Sequence, residues 1–235
     1  MTRTTMITAL FAAATTTSAM NAQVFEIAVD RYNLSASDGV FDTDGPTTTN
    51  GPTSGDWTNE TFTSAVMGGN GGSAYGYQAA NASVGVYGGF VDAAASAFGD
   101  GSDFASGYGD SNFTVDFDLG ASGGDWTLEG FVNAFGDING EISEAYINFI
   151  DLNTNTIIWG TFVDNDFEQF NEAGSLGAGS YRLEANALAI VDRIFENGFG
   201  DSTATVDFNF TVTPAPGTVA LLSLGALGVT LRRRA

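Results

Sequence analysis

The sequence predicts an all-β fold: a β-sandwich with jelly-roll-like or Greek-key connections, preceded by an N-terminal helix and followed by a hydrophobic C-terminal helix. Two segments carry this prediction, FTVDFDL at residues 113–119 and ATVDFNFTV at residues 204–212. Their apolar and polar residues alternate, as expected for strands with one buried and one wet face. Turn residues recur about every ten positions and helical periodicity is almost absent. A closed barrel is the alternative arrangement.

Further segments complete the predicted sheets. Asn153-Thr154-Asn155 is typical of a hairpin turn between two strands. The Gly/Ala-rich residues 68–101 favour strands with small side chains where two sheets approach closely, and a flexible or adhesive segment is the alternative. The other predicted strands cover residues 24–29, 83–91, 126–134, 145–152, 157–163 and 181–191.

Two motifs occur twice. GDWTNETF at residues 55–62 returns as GDWTLEGF at residues 124–131, and the GYGDS and TVDF segments that begin at Gly107 return as GFGDS and TVDF from Gly198. The two offsets differ, which excludes a solenoid with a fixed period. We interpret the pairs as one turn-into-strand solution used twice in a single sandwich, with duplication as the alternative.

The predicted body, residues 23–212, is strongly acidic. All 28 acidic residues lie between Glu26 and Asp207, and the body contains three arginines and no lysine, so its net charge is −25. A surface of this charge repels phosphates and anionic lipid head groups, and we therefore expect no nucleic-acid partner. The charge does not exclude divalent cations or neutral surfaces as partners. Solubility alone is the simpler explanation of the high negative charge.

The chain has no cysteine and no histidine. The composition excludes disulfides, thiolate zinc sites and cysteine nucleophiles, and it removes the usual general base, the usual activator of a catalytic serine and the favoured nitrogen ligand of transition metals. Acid/base work by paired carboxylates is the catalytic chemistry that is left. We therefore expect a protein that is not an enzyme.

The N-terminus has the pattern of a secretory signal peptide. Arg3 supplies the basic region, residues 6–14 form a short apolar core, and small residues lead to Ala19 or Ala22, the two candidate cleavage points. A buried amphipathic helix is the alternative. It is disfavoured because threonines bracket the apolar run instead of alternating with it. We assign residues 1–22 to the signal peptide.

The C-terminal segment, residues 213–235, contains a short apolar stretch followed by three arginines. As a helix, residues 218–231 span about 21 Å, less than the roughly 30 Å hydrocarbon core of a bilayer. The arginines would stay on the cytoplasmic side by the positive-inside rule, so the acidic body would face outward.

This tail resembles the PEP-CTERM sorting signal that exosortases recognise. The match consists of a proline motif, a Leu/Gly/Ala-rich stretch and a terminal arginine cluster, with Ala215 where the family usually has glutamate. The resemblance implies transient insertion in the inner membrane, processing by an exosortase-type enzyme near the proline pair, and delivery to the cell surface or extracellular matrix. Residues 177–185, GAGSYRLEA, are similar to a late strand of exported sandwich proteins that carry this tail. The residues of the sorting motif are Pro214, Ala215, Pro216, Gly217, Thr218, Arg232, Arg233 and Arg234.

Recurrent Asp/Gly turns predict calcium as a possible cofactor. Calcium takes six to eight oxygen ligands, and closely spaced aspartates supply them. Tight turns also demand Asp and Gly for steric reasons alone, and no segment has the complete spacing of an EF-hand. The candidate ligands are Asp100, Asp103, Asp110, Asp164 and Asp166.

The sequence also contains a candidate carboxylate pair and candidate sugar-stacking aromatic residues. Carboxylates two residues apart on a strand, Asp116 with Asp118, have the separation that a glycosidase needs, and Asp207 lies in the same relation to Asn209. A solvated sheet face explains them better, because every predicted strand is acidic. Aromatic residues offer sugar-stacking platforms, although most tryptophans of a small sandwich belong to its core. The candidates are Trp57, Trp126, Trp159, Tyr75, Tyr77, Tyr87 and Tyr108.

Together these features predict an exported surface or extracellular-matrix protein with a structural or adhesive role in exopolysaccharide. A calcium-dependent carbohydrate-binding module is the alternative, and a carboxylate-pair glycoside hydrolase is a third.

Overall fold

The computed structural model describes residues 23–39, 42–67, 70–100, 104–137, 141–194 and 197–215. These residues form twelve strands. The strands are β1 (Val24–Gly39), β2 (Asp42–Asn50), β3 (Gly55–Met67), β4 (Asn70–Ser83), β5 (Val86–Asp100), β6 (Phe104–Leu119), β7 (Gly124–Gly136), β8 (Ile142–Asp151), β9 (Thr156–Asp164), β10 (Phe167–Leu176), β11 (Gly179–Ile194) and β12 (Asn197–Pro214).

The strands make two six-stranded antiparallel sheets that face each other. Sheet A has the order β2-β1-β6-β11-β8-β9, and sheet B has the order β10-β7-β12-β5-β4-β3. The predicted all-β sandwich is confirmed, and the two separate sheets replace the closed barrel. The predicted flanking helices fall on residues 1–22 and 216–235, outside the described residues. Within the described ranges, no helix has the length and apolar character needed to cross a membrane.

The long central strands have the alternating apolar and polar side chains that their sequences predict. β6 and β12 bury every second side chain over most of their length. The hairpin between β8 and β9 turns at residues 152–155, where Asn155 takes a φ of 53°. This left-handed conformation is one that asparagine tolerates better than most residues.

One half of the interior is aromatic. Phe117, Phe149 and Phe210 are completely buried, and their ring centroids lie 5.0 to 6.3 Å apart. Trp126 and Tyr181 close the cluster, with centroids 5.1 and 5.9 Å from the Phe149 ring. Burial of so much ring surface supplies the main hydrophobic stabilisation of the sandwich.

The other half of the interior is built from glycine and small polar residues. A Cβ at Gly107 would lie 2.5 Å from the Ser73 carbonyl oxygen of the opposite sheet, and a Cβ at Gly72 or Gly76 would clash with the backbone of β6. The sheets therefore approach to backbone contact there, which confirms the predicted close packing for the described part of the Gly/Ala-rich segment, residues 70–100. Buried Ser111 donates hydrogen bonds to Asn33 Oδ1 (2.7 Å) and the Tyr77 carbonyl (2.9 Å) across this half.

Each arginine of the body has a structural position. Arg31 is 1 % exposed, donates to the Gly55 carbonyl (2.9 Å) and lies 5.5 Å from the centre of the Phe113 ring. Arg193 pairs with buried Glu141 at 2.5 Å, and Arg182 forms a bidentate pair with Asp116. The described part of the molecule consequently has no basic patch that a polyanion would recognise.

Candidate functional site

The outward side of sheet B carries a set of aromatic and polar side chains, which we call the sheet B face. In β5, small residues such as Val91 and Ala93 point into the core, so Phe90 and Asp92 point outward. The same alternation sets the outward direction on the neighbouring strands. The face consists of Tyr75, Tyr77, Phe90, Asp92, Phe131, Asn133, Phe167, Thr205 and Asp207.

Strand register arranges these side chains in rows. Tyr77, Asp92, Thr205, Asn133 and Phe167 are consecutive partners across β4, β5, β12, β7 and β10. Neighbouring strands lie about 4.8 Å apart, so the row spans roughly 19 Å. The row thus places polar groups between two aromatic ends.

A second row runs beside the first. It contains Phe90, Asp207, Phe131 and Gln169, partners across β5, β12, β7 and β10. The two rows meet in two ring pairs: Tyr77 stands edge-on to Phe90 at 6.3 Å, and Phe131 lies tilted against Phe167 at 5.7 Å. Both pairs have the geometry that aromatic rings prefer, which fixes their orientation on the surface.

Asp92 on β5 is hydrogen-bonded to side chains of both neighbouring strands, β4 and β12. Its two oxygens accept hydrogen bonds from the Tyr75 hydroxyl (2.8 Å) and the Thr205 hydroxyl (2.7 Å). Burial raises the pKa of Asp92, and these hydrogen bonds oppose the rise. Burial, and after it the neighbouring Asp92 carboxylate, raises the pKa of Tyr75, so Tyr75 stays a hydrogen-bond donor.

A groove of about 300 Å³ opens at one end of the face. It is lined by acceptor and amide side chains, among them Glu129, Gln169, Asn171, Asp207 and Asn209. Gly130 also lines the groove: it has a φ of 153°, and a Cβ there would clash with the Asp207 carbonyl of the neighbouring strand. Burial alone raises the pKa of Asp207, whose carboxyl lies beside the groove.

A smaller groove of about 150 Å³ opens at the other end of the same face. It runs beside Phe62, Tyr75 and Thr203, where the Ser73 and Ser96 hydroxyls are 2.8 Å apart. Phe62 is 59 % exposed. The face therefore has an aromatic and hydroxyl-lined depression at each end.

The outward side of sheet A, the sheet A face, has comparable residue types in a different arrangement. Asp110 is 9 % exposed and accepts hydrogen bonds from Asn186 (2.7 Å), Tyr32 (3.1 Å) and Tyr108 (3.4 Å). Burial raises the pKa of Asp110, and these three donors oppose the rise. The polar groups of this face are thus largely engaged with each other.

The predicted calcium ligands are not brought together. Asp110 and Asp164 lie in one register row on β6 and β9, three strand spacings or about 14 Å apart. Asp166 lies in the β9–β10 turn, where its carboxylate accepts from the Phe167 amide (2.8 Å). The side chain of Asp100 and all of Asp103 lie outside the described residues. Among the described side chains, no three of His, Cys, Asp or Glu gather closely enough to hold a metal ion.

The aromatic candidates separate into three groups. Tyr75 and Tyr77 lie on the sheet B face, and Tyr108 lies on the sheet A face. The others point inward: Trp126 and Tyr87 are buried, while Trp57 and Trp159 are half-buried against the interior. The sequence pattern alone did not predict a binding role for Phe90, Phe131, Phe167, Asp92 and Thr205. The outward parity of Phe90 and Asp92 in YGGFVDAAASA is the signal that was available.

The candidate carboxylate pair is already occupied by neighbours. Asp116 is bonded to Arg182 and Asp118 accepts from the Ser180 hydroxyl (2.5 Å), both on the sheet A face. Asp207 and Asn209 lie beside the groove of the sheet B face. Asn209 donates to Glu129 at 3.3 Å.

The start of the sorting motif belongs to the sandwich. Pro214 ends β12 as the partner of Gly124, and the Ala215 amide donates to the Gly123 carbonyl at 3.0 Å. Pro216, Gly217, Thr218 and the arginines 232–234 lie outside the described residues.

No protein-family model and no curated protein matches the chain. Among solved structures, CBM4 aligns with 54 % of this chain and 87 % of its own at 11 % identity, with a TM-score of 0.27. TmCBM61 in complex with β-1,4-galactotriose aligns with 50 % of this chain and 69 % of its own at 11 % identity and a TM-score of 0.24. The enzymatically active domain of tailspike protein 4 from bacteriophage CBA120 aligns with 66 % of this chain and 19 % of its own at 12 % identity and a TM-score of 0.23. At these TM-scores the likenesses carry no argument about function.

Proposed function

We propose that this chain is an exported, non-enzymatic protein of the cell surface or extracellular matrix that binds a neutral polysaccharide through the sheet B face. The observation that carries the proposal is the pair of register rows, in which Tyr77, Phe90, Phe131 and Phe167 flank Asp92, Thr205 and Asp207. The two grooves on this face give a chain-like ligand two places to settle.

The chemistry of the face suits a sugar polymer. The apolar side of a pyranose ring packs on an aromatic side chain, while its hydroxyls need acceptors and donors at fixed positions. Ring pairs supply the first requirement, and Asp207, Asn133 and the groove amides supply the second. The net charge of −21 disfavours an anionic polymer, so we assign a neutral one.

The tail supplies the proposed destination. A sorting signal of the PEP-CTERM type would insert residues 218–231 in the inner membrane, present them to an exosortase-type enzyme and release the sandwich outward. Cleavage beyond Ala215 would keep the last strand intact, because Pro214 is paired with Gly124 and the Ala215 amide is bonded to Gly123.

Deletion of residues 216–235 tests the destination without touching the folded strands. We expect the truncated protein to be retained inside the producing cell, measured by fractionation and immunoblotting. Unchanged delivery of the truncated protein to the matrix would contradict the sorting proposal.

Replacement of one ring tests the binding face. We expect Tyr77→Ala to weaken binding to the producer's neutral exopolysaccharide about tenfold, equivalent to about 1.4 kcal/mol, because it removes a ring and leaves Phe90 unsupported. Affinity electrophoresis in gels that contain the polysaccharide measures the change.

Tyr108→Ala is the matched control, since Tyr108 is a half-buried tyrosine of the sheet A face. It is expected to leave the mobility shift unchanged. Equal losses in the two variants, or no retardation of the unmodified protein, would contradict the proposal.

A further inference from the structure

β9 is an edge strand with an open side. Within the described residues it pairs only with β8, so its other side presents free backbone amides and carbonyls. Ile157, Ile158 and Phe162 are 62, 39 and 56 % exposed. Open edges of this kind join other strands unless a protective device is present.

The other three edge strands have such devices, and β9 does not. β2 contains two aspartates and Pro46, β3 contains Asp56 and Glu60, and β10 contains Glu168 and Glu172. Between Thr156 and Val163, β9 contains no charged residue and no proline. The carboxylate of Glu168 on β10 accepts from the Thr161 hydroxyl on the inward side of β9. In a chain with a net charge of −21, the uncharged outward side of this strip is where another acidic surface approaches with the least repulsion.

We propose that a second copy of this chain pairs with β9, strand to strand and antiparallel, about a two-fold axis at Gly160. β9 runs from Thr156 to Asp164, so Gly160 is its midpoint and this register alone uses the whole strand. The pairing extends sheet A across both copies and satisfies the open backbone groups of both strands.

The register also matches the side chains. It places the only carboxylate of the strand, Asp164, opposite Thr156 and away from the second Asp164. Phe162 of one copy lies opposite Ile158 of the other, because both residues are two positions from Gly160. The self-complementary, uncharged sequence is the reason for assigning a second copy as the occupant.

Such a dimer has a consequence that rests on the proposed function. A two-fold axis perpendicular to sheet A turns both sheet B faces to the same side of the dimer. One polysaccharide chain or mesh would then contact two faces, which raises the apparent affinity without a new contact.

Cysteine crosslinking of the full chain tests the dimer independently of any glycan. The protein has no native cysteine, so one introduced thiol is the only thiol present. Gly160→Cys displaces the Asn148 side-chain oxygen, which its Cβ would meet, and places the two thiols of a dimer opposite each other. Their Cα atoms fall within the roughly 4.4 to 6.8 Å separation of a disulfide, and we expect a covalent dimer after mild oxidation. Phe162→Cys is the register control. We expect it to form no disulfide-linked dimer, because its two thiols would be offset by four residues along the paired strands.

The second measurement is the molecular mass of the unmodified protein by analytical ultracentrifugation. We expect the mass to rise with concentration towards twice 24.4 kDa, and Phe162→Asp to remain at 24.4 kDa. Phe199→Asp, which changes an equally exposed phenylalanine on β12, is expected to dimerise like the unmodified chain. A monomer at all concentrations together with no disulfide at position 160, or a dimer crosslinked by Phe162→Cys alone, would overturn the proposal.

Discussion

The sheet A face and the sheet B face are made from similar residues with different partners. On sheet A, Asp110 accepts from three side chains, Asp116 is paired with Arg182, and Asp118 accepts from Ser180. On sheet B, the rings pair mainly with each other, and Asp92 accepts from two hydroxyls at the edge of the row. Asp92 is thus engaged by neighbours like the acids of sheet A, and the sheet B face differs in its paired rings and in Asp207, whose pKa is raised by burial alone beside the larger groove.

The largest expected effect comes from the backbone that supports the sheet B face. Gly130→Ala places a Cβ against the Asp207 carbonyl at a φ of 153°, so we expect the free energy of unfolding to fall by about 2 to 4 kcal/mol. Urea denaturation measures the loss. Gly177→Ala is the control, because nothing lies within 4 Å of its added Cβ, and a change within about 0.5 kcal/mol is expected. Equal losses of unfolding free energy at the two positions would show that the contact with the Asp207 carbonyl does not set the cost at Gly130.

The buried carboxylates of the two faces are expected to give a smaller, pH-dependent effect. Burial raises the pKa of Asp92 and Asp110 above the 3.8 of a free aspartate, so the folded state binds more protons than the unfolded state in the window that begins near pH 3.8. Their contribution to stability is therefore present at low pH and is lost as the pH rises through the folded pKa values.

Asp110→Asn and Asp92→Asn each remove one of these groups. We expect each variant to lose stability less steeply than the unmodified protein as the pH rises from about 3 to 7, measured as the free energy of unfolding at each pH. Identical slopes in variant and unmodified protein would show that burial does not control these carboxylates.

Calcium is expected to have the smallest effect on binding. The β9–β10 turn, which contains Asp166, adjoins Phe167 of the sheet B face, but no group of three carboxylates gathers among the described residues. We expect a chelator to leave polysaccharide retardation unchanged. Loss of retardation in chelator, restored by millimolar calcium, would favour the calcium-dependent module instead. The turn itself stays a predicted calcium site, which a calcium-dependent rise in Tm would support.

The central strands of the fold were predictable because each has one buried and one wet face. β6 and β12 alternate over most of their length, and the GDW motifs mark the starts of β3 and β7, where Trp57 and Trp126 both point inward. β2 and β10 were missed. They are edge strands with almost every side chain exposed, so no periodic pattern distinguishes them from loops.

The candidate site was less predictable because it depends on register. Tyr77, Asp92, Thr205, Asn133 and Phe167 are scattered over β4 to β12, and no local spacing connects them. The calcium prediction followed local spacing within single Asp/Gly turns and stays a prediction, since the Asp100 side chain and Asp103 lie outside the described residues. Asp110 belongs to a strand interior, where its neighbours come from β1 and β11.

Hydroxyl-radical footprinting of the protein with and without the neutral polysaccharide tests most directly which face binds. We expect lower oxidation of Tyr75, Tyr77, Phe90 and Phe131 in the complex. Oxidation of Tyr32, Tyr108 and Tyr146, which point outward from sheet A, is expected to stay unchanged. Protection of the sheet A tyrosines with an unprotected sheet B face would contradict the account.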